Sequence, residues 1–367
     1  MPEFKNRLHE RIYAVNAISI VANSMGDLPE GMHWRAAEAK FGFLEELLPQ
    51  DENGRVRRFD WGPEWHYHPH HRPAGMGEDG QERHRLMVEA IANKGGRITC
   101  MDLGRAWVEL IDPANFGYLL GPQDQVIYYA IRGGIVAHEA GRYATYPGFH
   151  GTSKMIQPIG LLNAGNPDQA ARDALDVGRI KDVHGRPANH GLEVAAGMAA
   201  GIAEAVKPGA TVGKVIDRIL SQLGTPAREE CERALDWARQ MAWQDLREKF
   251  AVTYEGRIPW NATEVLSSAL ALFWQCDGDL ETGLLWSVNF GRDTDDRAYD
   301  VAGLCAAMHG MKGIRPHWLA TSAEALEGDH WTVSKRSFES GADALYAAAM
   351  ATAEASRAHA EAVAALT

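Results

Sequence analysis

Cysteine is scarce and unclustered. Its four residues, Cys100, Cys231, Cys276 and Cys305, show no CxxC spacing. This argues against a disulfide framework and against a cysteine-built zinc site, and it favours buried thiols in a cytoplasmic protein. Long apolar runs are missing as well. None approaches the roughly 20 residues of a membrane span. The start, Met1-Pro2-Glu3-Phe4-Lys5-Asn6-Arg7, lacks the adjoining apolar core and cleavage site of a signal peptide. Basic residues are outnumbered, with 37 Lys and Arg against 49 Asp and Glu and a net charge of -12. Such a balance argues against a general nucleic-acid binder. The expectation is therefore a chain with neither nucleic-acid nor membrane partners. No internal repeat or interdomain linker stands out, and nothing in the sequence fixes an oligomeric state. What remains is 367 residues that are 46% hydrophobic, enough for a substantial core.

Periodicity predicts helices almost throughout. Residues 8–25 carry a broad apolar face (Ile12, Val15, Ile18, Ile20, Val21, Met25), and Gly26-Asp27 ends it. A second helix is expected over 35–48. Others are expected within 102–142, over 167–181 and 190–206, and across 208–275 with starts around Thr211, Thr225-Pro226 and Thr263. An alanine-rich tail helix is expected from Gly341 to Leu366. The segment Trp61–Met76 holds four histidines in six residues (His66, His68, His70, His71) among Pro and Gly. It reads as a loop that could serve as a substrate-facing lid, or as plain surface, rather than as a closed metal site.

The most informative stretch is Asn289-Phe290-Gly291-Arg292-Asp293-Thr294-Asp295-Asp296, in which three carboxylates fall within four residues. Apolar and small residues flank it on both sides and would bury it. Carboxylates this close repel each other, and a low dielectric strengthens the repulsion. A hard divalent cation resolves the conflict. The competing reading makes Asp293 or Thr294 a helix N-cap and leaves the other acids in water. An EF-hand is excluded by Ala298 and Leu304, which stand where that loop needs Gly and Glu.

This segment resembles the C-terminal metal motif of the ADP-ribosylglycohydrolase family, Gly-Gly-Asp-Thr-Asp-Thr followed by a small-residue helix. Asn289-Phe290-Gly291, Ala302-Gly303, Gly310, Ile314-Arg315-Pro316 and Trp318 agree with it. Arg292 stands in place of Gly, and Asp296 in place of Thr. The resemblance runs from about residue 11 to 320, with 321–367 as a helical extension of a single domain, 1–367. It implies an all-α orthogonal helical bundle with a binuclear Mg²⁺ site, Mn²⁺ being an alternative.

Further positions follow from the resemblance. Glu78-Asp79-Gly80 occupies the place of the family's Thr-Asp-Asp-Thr motif. Metal binding is thereby implied for Glu78, Asp79, Asp293, Asp295 and Asp296, with Asp296 compensating for the acid missing at Gly80. Glu30, in Pro29-Glu30-Gly31, is the candidate catalytic glutamate, with Asp79 the other acid/base candidate; the bland alternative makes Glu30 an ordinary loop acid. The segment from His150 to Gly160 resembles Gly-Asn-Gly-Ser-x-Met-Arg-x-x-Pro-Ile-Gly, which makes His150, Gly151, Thr152, Ser153 and Lys154 candidates for ribose or phosphate contact. His184 is either a site-lining or a structural histidine. The implied activity is metal-dependent cleavage, by water attack, of the C1″ N- or O-glycosidic bond of an ADP-ribosylated small molecule or protein. The alternatives are a hydrolase of another N-ribosyl, nucleoside-like compound, or a non-catalytic binding descendant.

Overall fold

The computed structural model describes residues 2–50, 72–143, 148–183 and 190–366. Within them the architecture is all-α, with a few isolated bridges and no strand. The His66–His71 loop and His184 lie outside the described residues. No helix is long and apolar enough to cross a membrane among those described.

The centre is a pair of helices from opposite ends of the chain. The first, Arg7–Asp27, starts where Asn6 Oδ1 accepts from the His9 N–H at 3.0 Å. Its Ile12, Ile18 and Val21 are fully buried. It packs most extensively against the motif helix, Thr294–His309, which is buried from Thr294 to Met308. Small residues set the approach. A Cβ on Gly26 would lie 2.6 Å from the Asp295 backbone nitrogen, so only glycine lets the two backbones meet there. Thr294 Oγ1 donates to the Gly26 carbonyl at 2.6 Å and locks the crossing.

Around this pair stand Asp79–Lys94, the alanine-rich Gly191–Ala205, Ala262–Gln275, Leu280–Val288 and the C-terminal Phe338–Ala364. Of these, Gly191–Ala205, Ala262–Gln275 and Phe338–Ala364 lie close to the expected positions. The helix expected over 35–48 is shorter, Trp34–Phe41. Gly42, at φ 70°, turns the chain out of it. Leu44 and Leu47 are still buried, but from an irregular segment that Asn289 clamps through hydrogen bonds to both the N–H and the carbonyl of Leu44. The helix over 167–181 likewise stops at Val177 and passes into a 3-10 turn, Gly178–Ile180. Near Thr263 the cap is Asn261, whose Oδ1 accepts from the Thr263 and Glu264 N–H groups. All four cysteines are buried free thiols.

Candidate functional site

The site forms where three chain segments meet at the N-termini of two helices. Asp293 precedes the motif helix, and its side chain makes no cap hydrogen bond. Asp293 and Asp295 are fully buried and Asp296 is 1% exposed, so the acids are not a solvated helix start. The loop that bears Glu30 is pinned to this turn by its backbone. The Gly31 N–H donates to the Arg292 carbonyl at 2.6 Å, and the Arg292 N–H to the Met32 carbonyl at 2.7 Å. Glu30 thereby converges with Asp293 and Asp295, each offering an oxygen within 4.8 Å of the others. Glu30 also forms a second such group with Asp27 and Glu78. The indole N–H of Trp260 donates to Glu30 Oε1.

Arg292 explains one departure from the motif. It sits at φ 64°, a left-handed conformation that favours glycine. Arginine is held there by Glu264, which accepts from Nε and Nη2, and by the Arg257 carbonyl, 2.8 Å from Nη2.

Asp79 opens the second helix, and Glu78 precedes it without a side-chain cap. The cap comes from the first helix instead. Asn23 Oδ1 accepts from the Glu78 and Gln81 N–H groups at 3.1 and 3.2 Å, and its Nδ2 donates to Asp295 Oδ2 at 3.0 Å. One buried amide thus ties both acidic segments together. Asp79 faces two cations: Lys154 Nζ lies 2.8 Å from Oδ1 and Arg83 Nη2 lies 2.7 Å from Oδ2. Arg83 also forks onto buried Asp124.

Lys154 arrives from the 3-10 turn His150–Met155. Its Nζ also lies 2.7 Å from Asp296 Oδ1 and 3.4 Å from Asp295 Oδ2. His150 Nε2 lies 2.8 Å from Asp300 Oδ2 with both side chains buried, and Thr152 donates to Asp182. His150, Thr152, Ser153 and Lys154 are all buried, with Gly151 beside Arg83 and Lys181. Phe149 and Trp260 lie tilted against each other with ring centroids 6.0 Å apart and are partly exposed.

The electrostatics divide the acids. Burial pushes Asp293 well above the usual carboxylate range, and repulsion from Asp296, Asp295 and Glu30 adds to it. Burial also lifts Asp295 to about 7 against the pull of Lys154. Asp296 is buried as deeply, but Lys154 and His150 outweigh that and hold it below its ordinary range. Neither oxygen of Asp293, nor Oδ1 of Asp295, meets a hydrogen-bond donor among the described residues. Buried oxygens without donors, clustered with a third carboxylate, fit a hard cation. Of the implied ligands, Asp293 and Asp295 thus join Glu30, Glu78 joins Glu30 and Asp27, and Asp79 and Asp296 face Lys154.

A model of the ADP-ribosylglycohydrolase family matches residues 5–362. The chain belongs to this family. Its members are hydrolases, and the match takes in the C-terminal helix beyond the reach of the quoted motifs. No curated protein matches the chain. Counted back from Pro158-Ile159-Gly160, Lys154 falls on the Met of the ADP-ribosylglycohydrolase glycine-rich motif. Sequence reasoning passed over Asn23, Arg72, Arg83, Trp260 and Asp300. Arg72 is fully buried and its Nη1 donates to Asp27 Oδ2 at 2.9 Å. Asn23 lay within the predicted helix 8–25, where a polar residue on an otherwise apolar stretch was the available signal.

Proposed function

We propose that this chain is a divalent-cation-dependent glycohydrolase that cleaves the C1″ N- or O-glycosidic bond of an ADP-ribosyl conjugate. The observation that carries this reading is the convergence of Glu30 with Asp293 and Asp295 at a helix N-terminus, where both oxygens of Asp293 and Oδ1 of Asp295 meet no donor among the described residues. Those three residues would hold the ion, Mg²⁺ or Mn²⁺. When bound, it supplies a Lewis acid that neutralises the acids and binds ribose hydroxyls.

The chain's own groups do the rest. Trp260 orients the Glu30 carboxylate. Glu30 accepts a proton from the water that attacks C1″, the glycosidic electron pair leaves with the nitrogen or oxygen, and Glu30 passes the proton to that atom. Developing oxocarbenium charge meets the acidic floor. Phe149 and Trp260 form an aromatic wall that shields the ring from bulk water. Asp79, with an oxygen on each of Lys154 and Arg83, positions rather than transfers protons.

The test is release of ADP-ribose from arginine-linked and serine-linked conjugates. We expect turnover with Mg²⁺ or Mn²⁺, none in EDTA, and a loss of about 10²–10⁴-fold in kcat for Glu30→Gln. Cleavage of free nucleosides and not of conjugates would replace this reading with an N-ribosyl hydrolase. Turnover undiminished in both EDTA and Glu30→Gln would refute it.

A further inference from the structure

The family motif implies two metal ions; of the two acidic groups here, Glu30 with Asp293 and Asp295 suits one, while Asp27 and Glu78 of the other already face Arg72, at 2.9 and 3.7 Å. We infer that the Lys154 ammonium takes the place of the second ion, so that the chain binds a single divalent cation. This rests on the metal-dependent reading above.

The geometry has three parts. First, Lys154 Nζ sits between the two acidic segments, 2.8 Å from Asp79 on one and 2.7 Å from Asp296 on the other, with Asp295 at 3.4 Å. An ammonium has three protons, and three carboxylates surround it. The ammonium thereby bridges the helix starts at Asp79 and Thr294. Second, the space of the missing acid is occupied. A Cβ on Gly80 would collide with Asn23 Nδ2 and lie 3.1 Å from Lys154 Cδ, so the amide and the lysine stem fill the space of a side chain at 80. Third, the acids differ in the cations they face. Asp79 has Lys154 on one oxygen and Arg83 on the other, and Asp296 Oδ1 lies against Lys154, whereas both oxygens of Asp293 and Oδ1 of Asp295 meet no donor among the described residues. Asp296, where the motif has a neutral Thr, supplies the charge that the fixed ammonium balances.

The departures at Gly80, Lys154 and Asp296 thus form one set. Loss of an acid at 80 opens room for Asn23 and the lysine stem, the lysine brings a positive charge, and the extra aspartate pairs with it. A covalently tethered cation needs no free Mg²⁺ to keep this half of the site neutral. The ion bound by Glu30, Asp293 and Asp295 is then the one subject to chelation.

The test is Mn²⁺ stoichiometry by native mass spectrometry and by electron paramagnetic resonance on the full chain. We expect one Mn²⁺ per wild-type chain, with an isolated six-line spectrum. Lys154→Met, which installs the motif's own residue, should admit a second Mn²⁺ and show a coupled pair. Asp293→Ala should remove the wild-type ion. Two coupled Mn²⁺ in the wild type would overturn the lysine assignment and leave the metal-dependent reading standing. One Mn²⁺ in both wild type and folded Lys154→Met would overturn it as well. No Mn²⁺ in either would sink both. Should Lys154→Met fail to fold without metal, refolding it with Mn²⁺ decides: recovery of a two-ion chain supports the assignment, and failure to recover while wild type binds one ion refutes the interchange of lysine and metal.

Discussion

Replacing Arg292 with glycine, the residue its motif prefers, should destabilise this protein. Two effects oppose each other. Arg292 sits at φ 64°, which costs a non-glycine residue about 1–2 kcal/mol. Glycine would relieve that, though its looser unfolded chain cancels part of the gain. Against this, Arg292 holds Glu264, whose side chain is 1% exposed. Deleting one partner of a buried ion pair costs about 3–5 kcal/mol. The low end applies, because Arg292 is 16% exposed and Arg257 Nε stands 4.0 Å from Glu264 Oε2. The net expectation is a loss of about 2 kcal/mol, read by urea unfolding of the metal-free protein. Adding Glu264→Gln to Arg292→Gly removes the stranded carboxylate and should restore more than half of the loss. The deficit should also shrink toward pH 5, because burial already raises Glu264 and a lone carboxyl there will take up a proton. An Arg292→Gly protein as stable as the wild type would refute the reasoning.

The pH response should change sign with metal. Asp293 and Asp295 bind protons more tightly in the folded chain, Asp295 being raised from 3.8 to about 7. In EDTA their contribution is full below the unfolded value and lost as pH rises through the folded one, so melting temperature should fall from pH 5 to pH 8. With Mn²⁺ the ligands must be deprotonated, and the melt should instead fall on acidification; identical profiles with and without Mn²⁺ would count against a cation at these acids. Asn23→Ala uncaps the Asp79 helix and frees Asp295, and it should cost about 1–2 kcal/mol in the same urea assay. A change within error would show that the shared amide does not hold the two segments together.

Helix positions were largely legible because buried faces repeat at helical spacing, as in Ile12, Val15 and Ile18. The acidic turn was legible because Asp293, Asp295 and Asp296 fall within four residues and are flanked by apolar chain. Asn23, Arg83 and Arg72 were not, since a single polar residue shows its role only through a partner far away in sequence: Asn23 meets Asp295 across 272 positions. Lys154 was visible as a charge in a glycine-rich loop, and a phosphate was the natural guess for its partner. Only the fold turns it inward onto three acids. The helix expected to run to residue 48 failed at Gly42, where one positive φ outweighed the apolar spacing of Leu44 and Leu47.

The backbone clasp between Gly31, Met32 and Arg292 has a consequence for biogenesis. Glu30 and Asp79 leave the ribosome early, but the turn that completes their site is made only after nearly 300 residues. Until then those acids lack the acidic turn that they meet in the folded chain. Closure of the first helix against the motif helix is then the same event as assembly of the candidate site. A chain stalled or cleaved before Arg292 would carry half of the acids and no site.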